Sequence, residues 1–389
     1  MNRRSLHASL VVALVVAGCH RHRGGGPRRV RDPRAQYATG CVDPRYVSAP
    51  SGDVAVSTDG DVTGVATAAL RAQRAVAFSN AAGVTLAREI ATPVRVTGPV
   101  APDGFALAAT GERFLLTWID ARTSALQLAA IAADGAAEAW PPFSRAATSL
   151  ALSAGRDSAY VAWTEGAGDR ATLRGAPLDA RGRPRAEPST LATGAVDAPA
   201  VTFTGMRYVV AWRARGASIE ARAVSRDGAA EAPTTLVEAP EIGRPSIAWG
   251  GDRMAVAWSD RRNGDLGLQI TTRTLAGPSP GDVQRLSARF ERDARASIVW
   301  DGAAFGVTWW EPVGGGAPRS YMALVDRAGR RMGTSMRLVP NDDASLALPV
   351  IGWERPDYFF AAVRGATTVE ARRAGPRGCD MPPAPEPPR

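Results

Sequence analysis

Five stretches of the chain alternate apolar residues up to a tryptophan, ending at Trp118, Trp163, Trp212, Trp258 and Trp309. Leu or Val stands two positions before each Trp, and only Ala or Thr stands one before. Period-two alternation predicts a strand with one bulky and one small face. Such a strand fits between neighbouring sheets, large against small. Seven positions before the Trp stands Gly111, Gly205, Gly251 or Gly302, and Gly155 stands eight before Trp163. Upstream of that glycine lies another alternating run, as at 199–203 and 245–249. Each unit therefore opens as strand, glycine turn, strand. A third strand follows, then a turn such as Asp134-Gly135, Asp227-Gly228 or Ala328-Gly329, then a short fourth strand such as 234–237.

Two weaker copies flank these five. One ends at Phe78 and the other at Ala362, after a run of 349–353. The anchors then fall at 78, 118, 163, 212, 258, 309 and 362, and their spacings of 40 to 53 residues suit one four-stranded blade each. The expected fold is all-β, a single β-propeller of seven blades. The weak flanking copies leave six or eight open. The last copy lacks a fourth strand, while Val54-Ala55-Val56 and Tyr46-Val47-Ser48 precede the first copy. One of these N-terminal segments is expected to serve as the outer strand of the last blade. The ring then has no unpaired edge.

The first residues read as an export signal. Arg3 and Arg4 supply the positive start, and 10–17 is an apolar run too short to span a bilayer. Val16-Ala17-Gly18-Cys19 resembles the lipobox of bacterial lipoproteins. The resemblance implies cleavage before Cys19, a diacylglycerol on its thiol and a palmitate-type acyl anchor. The expected organisation is a signal peptide at 1–18, a basic flexible arm at 19–40, the propeller at 41–379 and a Pro-rich tail at 380–389. Cys41 and Cys379 bracket the folded part, and in an exported protein they are expected to pair. The residue after Cys19 is His20 rather than Asp. By resemblance to lipoprotein sorting, that favours the outer membrane over the inner.

Charge changes this picture little. The formal net charge is +9, but Arg3 and Arg4 leave with the signal. Arg21, Arg23, Arg28, Arg29, Arg31 and Arg34 sit in the arm against Asp32 alone. The propeller itself is near neutral. A nucleic-acid partner is not expected; the arm lies where anionic headgroups would be.

The units resemble the propeller repeats of exported bacterial proteins that read Val-x-Trp-x-Asp-x-Arg. Here that is Val256-Ala257-Trp258-Ser259-Asp260-Arg261-Arg262 and Leu116-Thr117-Trp118-Ile119-Asp120-Ala121-Arg122. They are more distantly similar to TolB-like propellers, without the Ser-Pro-Asp-Gly turn of those repeats. The resemblance spans 54–373 and implies architecture only.

Residue types exclude several chemistries. The only histidines, His7, His20 and His22, lie in the signal or the arm, and the chain has no lysine. A Ser-His-Asp triad, a His-ligated metal and a Schiff-base lysine are therefore excluded from the propeller. No glycine-rich loop opens a helix, so no nucleotide cradle is expected. No cofactor or metal is expected either. Carboxylates remain, and glycosidases need only two of them. Two residues after the anchor Trp stand Asp120, Glu165, Asp260 and Glu311, with Ala214 breaking the pattern in the fourth blade. With Arg122, Arg170 and Arg262 they form a candidate binding rim. The competing expectation is a repeated structural bond, the carboxylate accepting turn N–H groups or pairing with the nearby Arg. Trp140-Pro141-Pro142-Phe143 reads as packing or an aromatic platform, Asn341-Asp342-Asp343 as a turn, and Gly314-Gly315-Gly316 as a loop. The leading expectation is a monomeric, non-catalytic, lipid-anchored envelope propeller that offers a platform to a protein or glycan partner. The alternative is a carboxylate-based carbohydrate-active enzyme.

Overall fold

The computed structural model describes residues 54–374, apart from 71–72, 89–90, 276–281, 293, 314–315, 339–345 and 355–356. Cys19, Cys41, Cys379, the arm and the tail lie outside the described residues, as do Asn341, Asp342, Asp343, Gly314 and Gly315.

The described residues form seven four-stranded antiparallel sheets. Blades 1 to 6 take their strands consecutively from 64–95, 100–144, 147–193, 196–238, 246–287 and 297–337. Blade 7 takes three strands from 346–374 and its fourth from Val54–Ser57. Val54 lies opposite Ala371 and Ser57 opposite Thr368. The Thr58 N–H continues the ladder to the Thr367 carbonyl at 2.8 Å. The ring is thus closed by the N-terminal strand, and of the two segments the sequence offered, 54–56 is the one used. The first strand of every blade touches the first strand of the next, and blade 7 meets blade 1 in the same way. These inner strands surround the axis.

The large-against-small pattern becomes the blade interface. Seven apolar clusters lie one in each gap between blades. Trp212 packs with Ala162 of blade 3, Trp258 with Ala211 of blade 4 and Trp309 with Ala257 of blade 5. Trp118 meets Ala77, and Phe78 meets Ala361 across the closure. A larger residue at any of these alanines would collide with the next blade's ring. Trp163, Trp212, Trp258 and Trp309 are fully buried. Each contributes roughly 1.5–3 kcal/mol or more of apolar burial, enough to orient the wedge-shaped packing of the sheets.

A candidate binding face at the mouth of the central channel

The turns between second and third strands and the starts of the inner strands share one face. Ala121 N–H bonds to Pro99 O at 3.1 Å, Arg215 N–H to Ala195 O at 2.7 Å and Gly243 N–H to Ser259 O at 2.8 Å. All four rim carboxylates belong to this face, and each is already engaged. The Trp163 indole N–H donates to Glu165 Oε1 at 2.8 Å, and Glu165 lies 3.8 Å from Arg174. The Trp258 indole donates to Asp260 Oδ2 at 2.7 Å, and the Trp309 indole to Glu311 Oε1 at 3.1 Å. Asp260 is 0% exposed and also accepts from the Arg262 Nε and backbone N–H, while Arg262 lies 5.2 Å over the Trp258 ring. Asp260 and Glu311 fall within the extended second strands Met254–Asn263 and Phe305–Val313.

Asp120 differs. Its Oδ1 caps its own turn, accepting the N–H of Arg122 and of Thr123 and the Thr123 hydroxyl at 2.9–3.0 Å. Burial raises its pKa, but these bonds and the Arg122 charge together outweigh burial and hold it below the usual carboxylate value. Arg122 and Arg170 are exposed and reach no shared site with the other acids. Where Ala214 replaces the acid, the Trp212 indole N–H is buried without a partner. Blade 4 turns there by a three-residue connection, Arg215-Gly216-Ala217, with Arg215 and Gly216 at φ of 51° and 66°. That tight turn has no loop for a carboxylate to hold.

Nearer the axis, a charged group has assembled that the rim reading did not include. Arg244 of blade 5 donates to Asp103 of blade 2 at 2.7 Å. Two blades separate them on one side and three on the other, so the ion pair spans the channel mouth. Asp197, in the inner strand of blade 4, is gripped on both oxygens by Arg213, at 2.7 and 2.6 Å. Arg295 stands just before the inner strand of blade 6, under the charges of Arg244, Asp103 and Asp197. Burial and the Arg244 charge press its pKa down to about 10 against the pull of the two aspartates, so it stays a cation at neutral pH. Its Nε and Nη2 are buried and unpartnered.

The inner strands of blades 2, 4 and 7 are bulged at this end, with Asp103, Ala198 and Leu348 at φ of 51°, 49° and 51°. Bulges of this kind re-aim side chains and gather next to functional sites. The sequence carried one signal for the arginines, the shared run Arg-x-Ser-Ile-x-Trp at Arg244 and Arg295. A charge directly before an inner strand marks a strand mouth. Asp103 and Asp197 had no such signal, because bulges displace them from the repeat.

The opposite face is laced by a different repeat. Glu112 pairs with Arg181, Asp157 with Arg226 and Asp252 with Arg327. Each joins the first turn of one blade to the third-to-fourth-strand turn of the next. Trp140 and Phe143 lie in the outer strand of blade 2 and pack against the cluster shared with blade 3, Phe143 being 6.2 Å from the Trp163 ring. Among the described residues, no cluster of three or more His, Cys, Asp or Glu is arranged to hold a metal.

No protein-family profile matches the chain, and no curated protein matches it. Solved structures match by fold. An ulvan lyase, described as a new family of polysaccharide lyase, gives a TM-score of 0.53 at 10% identity, covering 83% of this chain and 96% of that one. A prolyl endopeptidase structure gives 0.50 at 11% identity, covering 88% of this chain and 52% of that one. The Dos1 propeller gives 0.49 at 11%, covering 82% and 94%. At such identities the likeness is one of fold alone. The class is a β-propeller, here of seven blades.

Proposed function

We propose that this chain is a lipid-anchored envelope propeller that acts as a non-catalytic binding platform for a protein or glycan partner. It binds at the channel mouth. Cys19 carries the lipid, the basic arm spaces the propeller from the bilayer, and the outer membrane is the expected location. The observation that supports the reading best is the convergence of half-exposed charge from separate blades at one end of the axis. The side chains of Asp103 and Asp197 are each 49% exposed there. The rim carboxylates, by contrast, accept buried indole N–H groups or cap turns, which leaves them poorly placed to trade protons with a substrate.

Two experiments test the halves of this reading. Cys19→Ser should move the protein from the membrane to the soluble fraction; persistence in salt-washed membranes would overturn the anchor. Affinity capture from the native envelope should retain a protein or glycan with the wild-type chain and lose it with Asp103→Ala combined with Arg244→Ala. Capture unchanged by the double variant would overturn the mouth as the binding face. Release of shortened sugars from a retained glycan would favour the carbohydrate-active alternative.

A further inference from the structure

We propose that the channel mouth binds the carboxylate of an acidic sugar, with Arg295 as the two-pronged partner of the carboxylate. The inference rests on the reading of this end of the axis as the binding face. Three arginines, Arg213, Arg244 and Arg295, meet two aspartates there. Both aspartates are already matched, Asp197 to Arg213 and Asp103 to Arg244. Arg295 is the cation left over. Among the described residues it makes no hydrogen bond or ion pair, and a partly buried charge left uncompensated is costly.

The geometry of the unmet atoms is specific. Nε and Nη2 are the two that lack partners. Their N–H bonds lie on one edge of the planar guanidinium, the edge that takes a carboxylate by two parallel hydrogen bonds. Arg295 as a whole is partly exposed, and in this proposal the side chain turns that covered edge toward the channel when the carboxylate arrives. Among the described residues one positive charge is uncompensated, which suits a monoanion. The neighbouring aspartates would repel a doubly charged phosphate. Their own oxygens, half open to solvent, accept hydroxyl protons. A single carboxylate set among hydroxyl groups is a uronic acid.

Calorimetric titration of the full chain with D-glucuronate, D-glucose and inorganic phosphate tests this. Saturable glucuronate binding is expected, with glucose and phosphate at least about tenfold weaker. Arg295→Gln should weaken glucuronate by about tenfold or more, the worth of hydrogen bonds to a charged group. Arg295→Lys, which keeps the charge and loses the edge, should fall between. The melting temperature of Arg295→Gln should equal or exceed that of the wild type, since no native bond is lost. Absent glucuronate binding, equal binding by glucose or phosphate, or wild-type affinity in Arg295→Gln overturns the proposal. If Arg295→Gln does not fold, Arg295 is structural and the proposal fails unless Arg295→Lys folds with weakened glucuronate binding. Partner capture that is lost in the Asp103→Ala, Arg244→Ala variant while glucuronate never binds would sink this inference and leave the platform reading standing. Loss of neither would sink both.

Discussion

An indole N–H buried between two sheets loses its water and needs an acceptor. Trp163, Trp258 and Trp309 each find one two residues along their own strand, and Trp212 does not. Comparing phenylalanine substitutions isolates that bond, because the loss of ring volume is similar at both sites. Trp258→Phe should cost about 1–3 kcal/mol more than Trp212→Phe, because it leaves the buried Asp260 short of a donor. Denaturant midpoints measure the difference, and equal losses would mean the indole bond contributes nothing. Asp260→Asn should likewise lower stability by about 1–3 kcal/mol through its bonds to Arg262 and Trp258, with partner capture unchanged. A saturable calcium or glycan affinity that vanished in this variant would return Asp260 to the binding surface.

At the scale of turns and strands, the aspartates that tie the loops make the fold sensitive to acid. Burial raises the Asp179 carboxyl, but the Arg183 and Arg181 N–H groups and the Arg183 charge outweigh it and hold the carboxyl low. Asp252 is lowered chiefly by its bond to Arg327, which joins blade 5 to blade 6. Asp120 is lowered by its turn. Carboxyls that titrate lower in the folded chain contribute their full stabilisation above the unfolded value, near pH 3.9. They lose it as pH falls through the folded values. The urea midpoint should therefore hold steady from pH 7 to about 5 and drop steeply below about 4. A midpoint that rose toward pH 3 would contradict these turn bonds. The Asp252–Arg327 pair is exposed, so Asp252→Asn alone should shift the midpoint little.

At the scale of the whole molecule, stability depends on closing the ring. Removing residues 54–57 bares the edge of the strand Thr368–Ala374, a template for pairing with another chain. The truncated protein should melt lower and aggregate with rising concentration in light scattering; a monomer as stable as the full chain would show that the outer strand is dispensable. The same pairing bears on the cysteines. Val54 is opposite Ala371, so the chain before Val54 and the chain after Ala371 leave the sheet at the same end. Cys41 lies thirteen residues before Val54, and Cys379 eight after Ala371. Both segments are long enough to bring the Cα atoms within the roughly 7 Å a disulfide requires. Non-reducing mass spectrometry should find the two peptides joined, and free alkylation of both thiols in the folded protein would refute the link.

Alternation of Leu or Val with Ala or Thr before each Trp already contained the strands and the wedge packing, because those depend on local period and on which side chain fits against which; the count of seven rested on two weaker flanking copies that left six or eight open. The need for a closing strand was legible too, since the last copy was one strand short. Ala214 was legible as an interruption in the acids, but that those acids accept the buried indole N–H groups emerged only in the structure. The channel mouth was not legible in the same way. Asp103 and Arg244 are 141 positions apart, on blades that share no edge, and they meet only because seven sheets close around an axis. Asp197 and Asp103 escape the repeat because bulges shift their register, and no linear pattern records where a bulge points a side chain. Whether Arg295 has a partner was likewise decided in space, by two aspartates whose oxygens are already held by other arginines.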